Sequence, residues 1–110
     1  MATKLHQKKC VPCEGYEEPL KAEQVAAYLT QVSGWENVEN KKIKKNFKFK
    51  NFKEAVNFVN KVAEVAEKEQ HHPDIYLFYN RVNLELCTHA ILGLSENDFI
   101  MASKIDKLSR

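Results

Sequence analysis

The chain has 110 residues, of which 44% are hydrophobic and 29% are charged, and its formal net charge is +2. This length suits one domain with one core, and so small a charge is not typical of a protein that binds nucleic acid directly. The sequence has no apolar run long enough to span a bilayer and no signal-type segment, so we expect a cytoplasmic protein without a membrane partner, with a nuclear location left open.

The N-terminal residues differ from the rest of the chain. Residues 1–18 show no apolar periodicity, so we expect a flexible arm followed by one domain at residues 19–110. Cys10 and Cys13 in this arm have CxxC spacing. Because no second CxxC and no histidine pair follows at zinc-finger distance, a metal or redox role is the less favoured alternative for them.

A helix and two strands are predicted next. Apolar residues recur at helical spacing over residues 21–33, and Gly34 is suited to ending that helix. A strand is predicted to begin at Trp35, and residues 41–50 alternate between apolar and polar in the manner of a half-buried antiparallel strand. Lys45 interrupts the apolar face of the second strand, which favours a distorted strand or one at the edge of the sheet.

The strongest helical pattern covers residues 52–69, where apolar side chains form a continuous stripe. Asn51 is suited to capping the first turn, with Glu54 three residues later. Pro73 restricts His72 to extended backbone, which predicts that the helix ends before it. His71 and His72 are therefore expected on a rigid loop at the C-terminal end of a long helix.

The remaining pattern predicts a hairpin and a last helix. Residues 75–78 and 81–88 read as antiparallel strands joined at Tyr79 and Asn80, and Ser95 is suited to capping a final helix. The predicted class is α+β, a four-stranded antiparallel sheet with three helices packed on one face. The strand at 75–78 is apolar on both faces, which suggests a partner subunit.

The hairpin returns His89 to the end of the sheet that carries His71 and His72, and Asp98 in the last helix is able to approach it. Imidazole has a pKa of about 6.5, so it can both accept and donate a proton near neutral pH. The cluster therefore suits general acid-base catalysis. Three histidines can also hold zinc, but neighbouring loop histidines are awkward joint ligands, so zinc is the less favoured alternative.

These residues resemble the pterin-4a-carbinolamine dehydratases. The signature of that family is an acidic residue, His-His-Pro, a spaced aromatic, a later histidine and then an aspartate. In this chain the corresponding residues are Glu67, His71-His72-Pro73, Tyr79, His89 and Asp98. The resemblance extends from about Leu20 to the C-terminus and leaves out the two arm cysteines.

The resemblance implies a hydro-lyase that dehydrates 4a-hydroxytetrahydrobiopterin to quinonoid dihydrobiopterin in tetrahydrobiopterin recycling. It implies no metal and no redox cofactor. His71 and His89 are the implied acid-base candidates, and His72 is expected to orient the substrate and assist. Glu67, Thr88 and Asp98 are expected to line or organise the substrate pocket.

The resemblance also implies an oligomer, and we expect a homodimer or homotetramer. Some members of the family bind and stabilise the dimer of a homeodomain transcription factor through their helices. The alternative function is therefore a protein-interaction module that acts as a transcriptional coactivator, with a transcription factor as its partner.

Overall fold

A computed structural model describes residues 4–12, 15 and 17–109. Over these residues the chain forms three α-helices, four β-strands and two 3-10 helices. The α-helices are α1 (Ala22–Leu29), α2 (Phe52–Glu69) and α3 (Glu96–Leu108); the strands are β1 (Glu36–Val38), β2 (Lys42–Lys48), β3 (Asp74–Phe78) and β4 (Arg81–Leu86); the 3-10 helices are Leu5–Gln7 and His89–Ile91. Within the same residues, no helix combines the length and apolar character that crossing a membrane requires.

The four strands form one antiparallel sheet in the order β1-β2-β4-β3. Alternate residues of β4 are buried, so one face of the sheet carries the core and the other faces solvent. Helices α2 and α3 pack over the buried face. The core includes Ile43 of β2, Leu84 of β4, Val62 of α2 and Phe99 of α3. The predicted α+β class, with helices on one face of a four-stranded sheet, is confirmed.

Helix α2 has the predicted bounds, because its cap is the predicted one. The Asn51 side chain accepts a hydrogen bond from the Glu54 amide at 2.9 Å. The helix ends where predicted, but Gln70 ends it and not Pro73. Gln70 takes the left-handed conformation at φ 54°, and its amide and that of His71 both donate to the Ala66 carbonyl. The helix is thus already closed before Pro73, and His71 leaves it in a fixed direction.

Helix α1 is shorter than the predicted 21–33. It ends at Leu29, and the Thr30 hydroxyl donates to the Ala27 carbonyl at 2.7 Å. The following residues form turns up to Gly34, whose φ of 77° is the left-handed conformation that glycine adopts readily. The prediction placed Gly34 directly after the helix, but it ends the turns that follow it.

Lys45 does not mark an edge strand, because β2 lies between β1 and β4. Its ammonium group donates to Asp106 of α3 at 2.9 Å and to the Ser33 carbonyl at 2.5 Å. Asp106 also accepts from the Trp35 indole at 3.0 Å. A buried carboxylate needs such partners. Pairing with Asp106 therefore explains why a lysine interrupts the apolar pattern of β2.

The described part of the N-terminal arm packs on the domain. Leu5 is buried in the core, and the 3-10 helix that contains it lies against α3. The Lys104 ammonium donates to the His6 carbonyl at 2.9 Å. The division of the chain at residue 18 stays a prediction, and Cys13 lies outside the described residues.

Candidate active site

An open cavity of about 620 Å³ lies beyond the C-terminal end of α2 and beside the 3-10 helix that follows β4. His71, His72 and His89 all line it, together with Thr88. His71 and His72 come from the loop that follows Gln70 at the end of α2, and His89 begins the 3-10 helix that follows the return strand of the hairpin. The convergence inferred from the hairpin topology is therefore present in the fold.

His71 and Asp98 form a short and buried side-chain contact in this site. The His71 Nε2 atom lies 2.6 Å from Asp98 Oδ1. The imidazole is mostly buried and the carboxylate is fully buried. A short contact of this kind, away from water, fixes the orientation of the imidazole ring.

The environment of Asp98 decides which nitrogen of His71 carries the proton. Asp98 Oδ2 accepts from the Thr88 hydroxyl at 2.8 Å and from the Ser95 amide at 3.0 Å. An ionised carboxylate only accepts hydrogen bonds, so His71 donates from Nε2. The Nδ1 atom of His71 is then the ring nitrogen that can take up a proton. Asp98 thus serves the cap of α3 and the histidine together.

His72 and Glu67 form a second histidine-carboxylate pair nearer to solvent. The His72 Nε2 atom lies 2.6 Å from Glu67 Oε2, and both side chains are more than half exposed. Glu67 contacts His72 and does not line the cavity itself. In so exposed a position the pair orients the His72 ring more than it stabilises the fold.

His89 is also exposed in the cavity, and its neighbour is a thiol. Both of its ring nitrogens lie 3.7–3.8 Å from the Cys87 sulfur. Burial raises the pKa of the Cys87 thiol, and the Asp98 charge adds to the rise. Cys87 is therefore held in its protonated form, which is a poor nucleophile.

Sequence reasoning missed several residues of the cavity. Cys10, Val11 and Pro12 of the arm form part of its wall, as do Glu69 and Asn97. The arm has no periodic pattern that would have indicated packing. Asn97 carried no signal either, because an asparagine in the first turn of a helix is ordinary.

Two further expectations concern metal binding and Tyr79. Across the described ranges, no group of three or more histidine, cysteine, aspartate or glutamate side chains is arranged to hold a metal ion, so the geometry gives the zinc alternative no support. Tyr79 lies away from the cavity, where its ring stacks on Phe52 with the centroids 6.5 Å apart.

Comparison with known proteins identifies the family. The family model of pterin 4 alpha carbinolamine dehydratase matches residues 18–108. A relative from Nitrosospira multiformis, provisionally named a pterin-4-alpha-carbinolamine dehydratase, is 50% identical over 94% of this chain and 91% of its own length. A relative from Rubrobacter xylanophilus with the same provisional name is 44% identical over 96% of this chain and 99% of its own.

A solved structure agrees with these relatives. The crystal structure of a transcriptional coactivator/pterin dehydratase from Brucella melitensis matches with a TM-score of 0.80 at 35% identity, and the match covers 84% of this chain and 100% of that one. The chain therefore belongs to the pterin 4 alpha carbinolamine dehydratase family, a family of hydro-lyases, as the resemblance of its histidine region predicted.

Proposed function

We propose that this chain dehydrates 4a-hydroxytetrahydrobiopterin to quinonoid dihydrobiopterin and water, as a step of tetrahydrobiopterin recycling. The single observation that carries the proposal is the contact of His71 with the fully buried Asp98 at 2.6 Å on the wall of a cavity that His89 also lines. Family membership supports the substrate class.

The reaction is an elimination of water, in which the catalytic groups have to supply only proton transfer. The N5–H bond of the substrate breaks and its electron pair forms the C4a=N5 double bond, while the C4a–O bond breaks and its electron pair leaves with the hydroxyl group. One proton is removed from N5 and one is added to the departing oxygen, so charge and electrons balance. The step requires neither a metal ion nor a redox cofactor, and two imidazoles in opposite protonation states suffice.

We assign the base to His71 and the acid to His89. Asp98 stabilises the imidazolium that forms when His71 Nδ1 takes the N5 proton. His89 is exposed to the cavity, and no carboxylate of the described residues lies within hydrogen-bond distance of it, so its ring is available to reach the departing hydroxyl group. His72, oriented by Glu67, is proposed to hold the substrate. Thr88 is proposed to organise the pocket by holding Asp98, which in turn fixes His71.

Steady-state turnover of chemically generated 4a-hydroxytetrahydrobiopterin tests the proposal. His71→Ala and His89→Ala are expected to lower kcat about a hundredfold or more, which is the usual contribution of general acid-base catalysis. His6→Ala is the matched control, since His6 is the histidine outside the cavity. Wild-type turnover in both His71→Ala and His89→Ala, with the fold retained, would remove the assignment.

We further propose that the protein is a homo-oligomer that pairs through β3. This strand lies at one edge of the sheet, and all of its side chains are exposed. Four of them, Ile75, Tyr76, Leu77 and Phe78, are large and apolar. An apolar edge strand in a small domain is a site for pairing with another chain, and a second copy of this chain is the partner that we propose. Whether two or four copies assemble stays a prediction.

A coactivator role is the second candidate function, because the Brucella melitensis protein carries that name beside pterin dehydratase. The apolar residues of α3 are largely buried, whereas α2 leaves Phe52 exposed and Val56 and Val59 half-buried. A partner helix would therefore be expected on α2. A pull-down with this protein that recovers no helical transcription-factor partner would count against the role. The cytoplasmic location stays a prediction.

A further inference from the structure

The arm segment Lys8–Pro12 joins the two helices that carry the site. The Cys10 amide donates to Glu69 Oε1 at 2.9 Å, and the Cys10 thiol donates to the Asn97 carbonyl at 3.6 Å. Glu69 is the last residue of α2, two positions before His71, and Asn97 directly precedes Asp98. The segment therefore spans the same two helix ends that the histidine-aspartate pair joins.

The backbone of Val11 is held by a reciprocal pair of hydrogen bonds. Its amide donates to Asn97 Oδ1 at 3.0 Å, and its carbonyl accepts from Asn97 Nδ2 at 2.6 Å. Asn97 is itself buried. Lys8 adds an ion pair with Glu96 at 2.9 Å. Both backbone groups of Val11 are thus fixed by one side chain, which sets the position of the residue without covering its own side chain.

The Val11 side chain is the apolar surface that this arrangement presents. It is 67% exposed although its backbone is fixed, and it lines the histidine cavity together with Pro12. A flat heterocycle that enters the cavity would cover both side chains. Because an apolar wall contacts the bound substrate and the transition state alike, it contributes to binding more than to the chemical step.

We propose that Val11 and Pro12 form the wall against which the flat ring of the substrate packs, and that Asn97 is the positioning residue for that wall. This inference rests on the proposed function, since it names the part of the pocket that a pterin ring touches. It gives the arm a role in substrate affinity that neither its composition nor its CxxC spacing indicates.

The test compares full-length variants in the dehydration assay. Val11→Ala is expected to raise KM about fivefold while kcat stays within twofold, which is the pattern of lost uniform binding. Asn97→Ala is expected to raise KM in the same way, whereas damage to the neighbouring Asp98 would lower kcat instead. Lys9→Ala is the matched control from the same segment, because Lys9 does not line the histidine cavity.

Calorimetric titration with 7,8-dihydrobiopterin, a pterin that cannot be dehydrated, separates this inference from the proposed function. If wild-type protein turns over the substrate and binds this pterin, an unchanged KM and Kd in Val11→Ala overturns the proposal that Val11 and Pro12 contact the substrate ring. If wild-type protein neither binds the pterin nor turns over the substrate, the proposed function fails and the wall fails with it. Val11→Thr, which keeps the side-chain shape but replaces one methyl group with a hydroxyl group, is expected to weaken binding similarly. Thermal melts check that each variant is folded.

Discussion

Replacing Asp98 by asparagine reverses the hydrogen bond that fixes His71, while the residue keeps its size. Asp98 Oδ2 faces the Ser95 amide, which can only donate. The amide oxygen of asparagine must therefore take the Oδ2 position, where it keeps the bonds from Ser95 and Thr88. The NH₂ group then takes the Oδ1 position and points at His71 Nε2 across 2.6 Å.

The consequence for catalysis follows from this reversal. His71 Nε2 must become the acceptor, so the neutral ring carries its proton on Nδ1 and can no longer take one there. The loss of the base and of the charge that stabilises its imidazolium is expected to lower kcat by about 10²–10⁴-fold, or roughly 3–5 kcal/mol of transition-state stabilisation. The change is measured with the dehydration assay near neutral pH.

Asp106→Asn is the matched control for Asp98→Asn. Asp106 lies in the same helix, eight positions later or about 12 Å along its axis, and it also accepts from a backbone amide and from side chains. It does not line the histidine cavity, so its replacement is expected to lower the melting temperature and leave kcat unchanged. A folded Asp98→Asn protein with wild-type kcat would refute the reasoning.

Two other predictions concern assembly and alkaline stability. Leu77→Lys places a charge on β3, so sedimentation velocity is expected to show smaller species than for wild-type protein. The control variant Leu92→Lys, at an exposed site outside β3, is not expected to change assembly. A monomeric wild-type protein would contradict the proposed interface. Burial raises the pKa of the Cys10 thiol from 9.0 to about 12, and the Glu69 charge adds to the rise. The folded state binds this proton more tightly than the unfolded state, so the protonated thiol contributes to the free energy of unfolding. This contribution is complete below pH 9 and is lost as the pH rises toward 12. The difference in melting temperature between wild-type and Cys10→Ala protein is therefore expected to shrink between pH 8 and pH 10.5, and a constant difference would exclude the effect.

The elements that the sequence predicted best are those determined by residues close to them in the chain. Helix α2 has the predicted bounds because its apolar stripe and the Asn51 cap both lie within a few residues of the backbone that they organise. The hairpin turn at Tyr79 and Asn80 was found for the same reason, and its left-handed residue is Tyr79 (φ 37°). The position of His89 followed from the antiparallel return of β4.

The features that sequence missed depend on long-range contacts. Lys45 and Asp106 are 61 positions apart, so the reason for a lysine in an inner strand lies outside any local pattern. The contacts of Val11 with Asn97 join residues 86 positions apart and use backbone groups, which leave no trace in side-chain periodicity. The left-handed residue that ends α2 and directs the chain toward His71 is Gln70. Because it is not a glycine, the sequence did not indicate a left-handed conformation there.

The most direct test of the account is the rate at which wild-type protein converts 4a-hydroxytetrahydrobiopterin, followed by stopped-flow absorbance against the uncatalysed loss of water. The account predicts saturable formation of quinonoid dihydrobiopterin that persists after treatment with a metal chelator and is abolished when His71 and His89 are both replaced by alanine. A wild-type rate equal to the uncatalysed rate would contradict it.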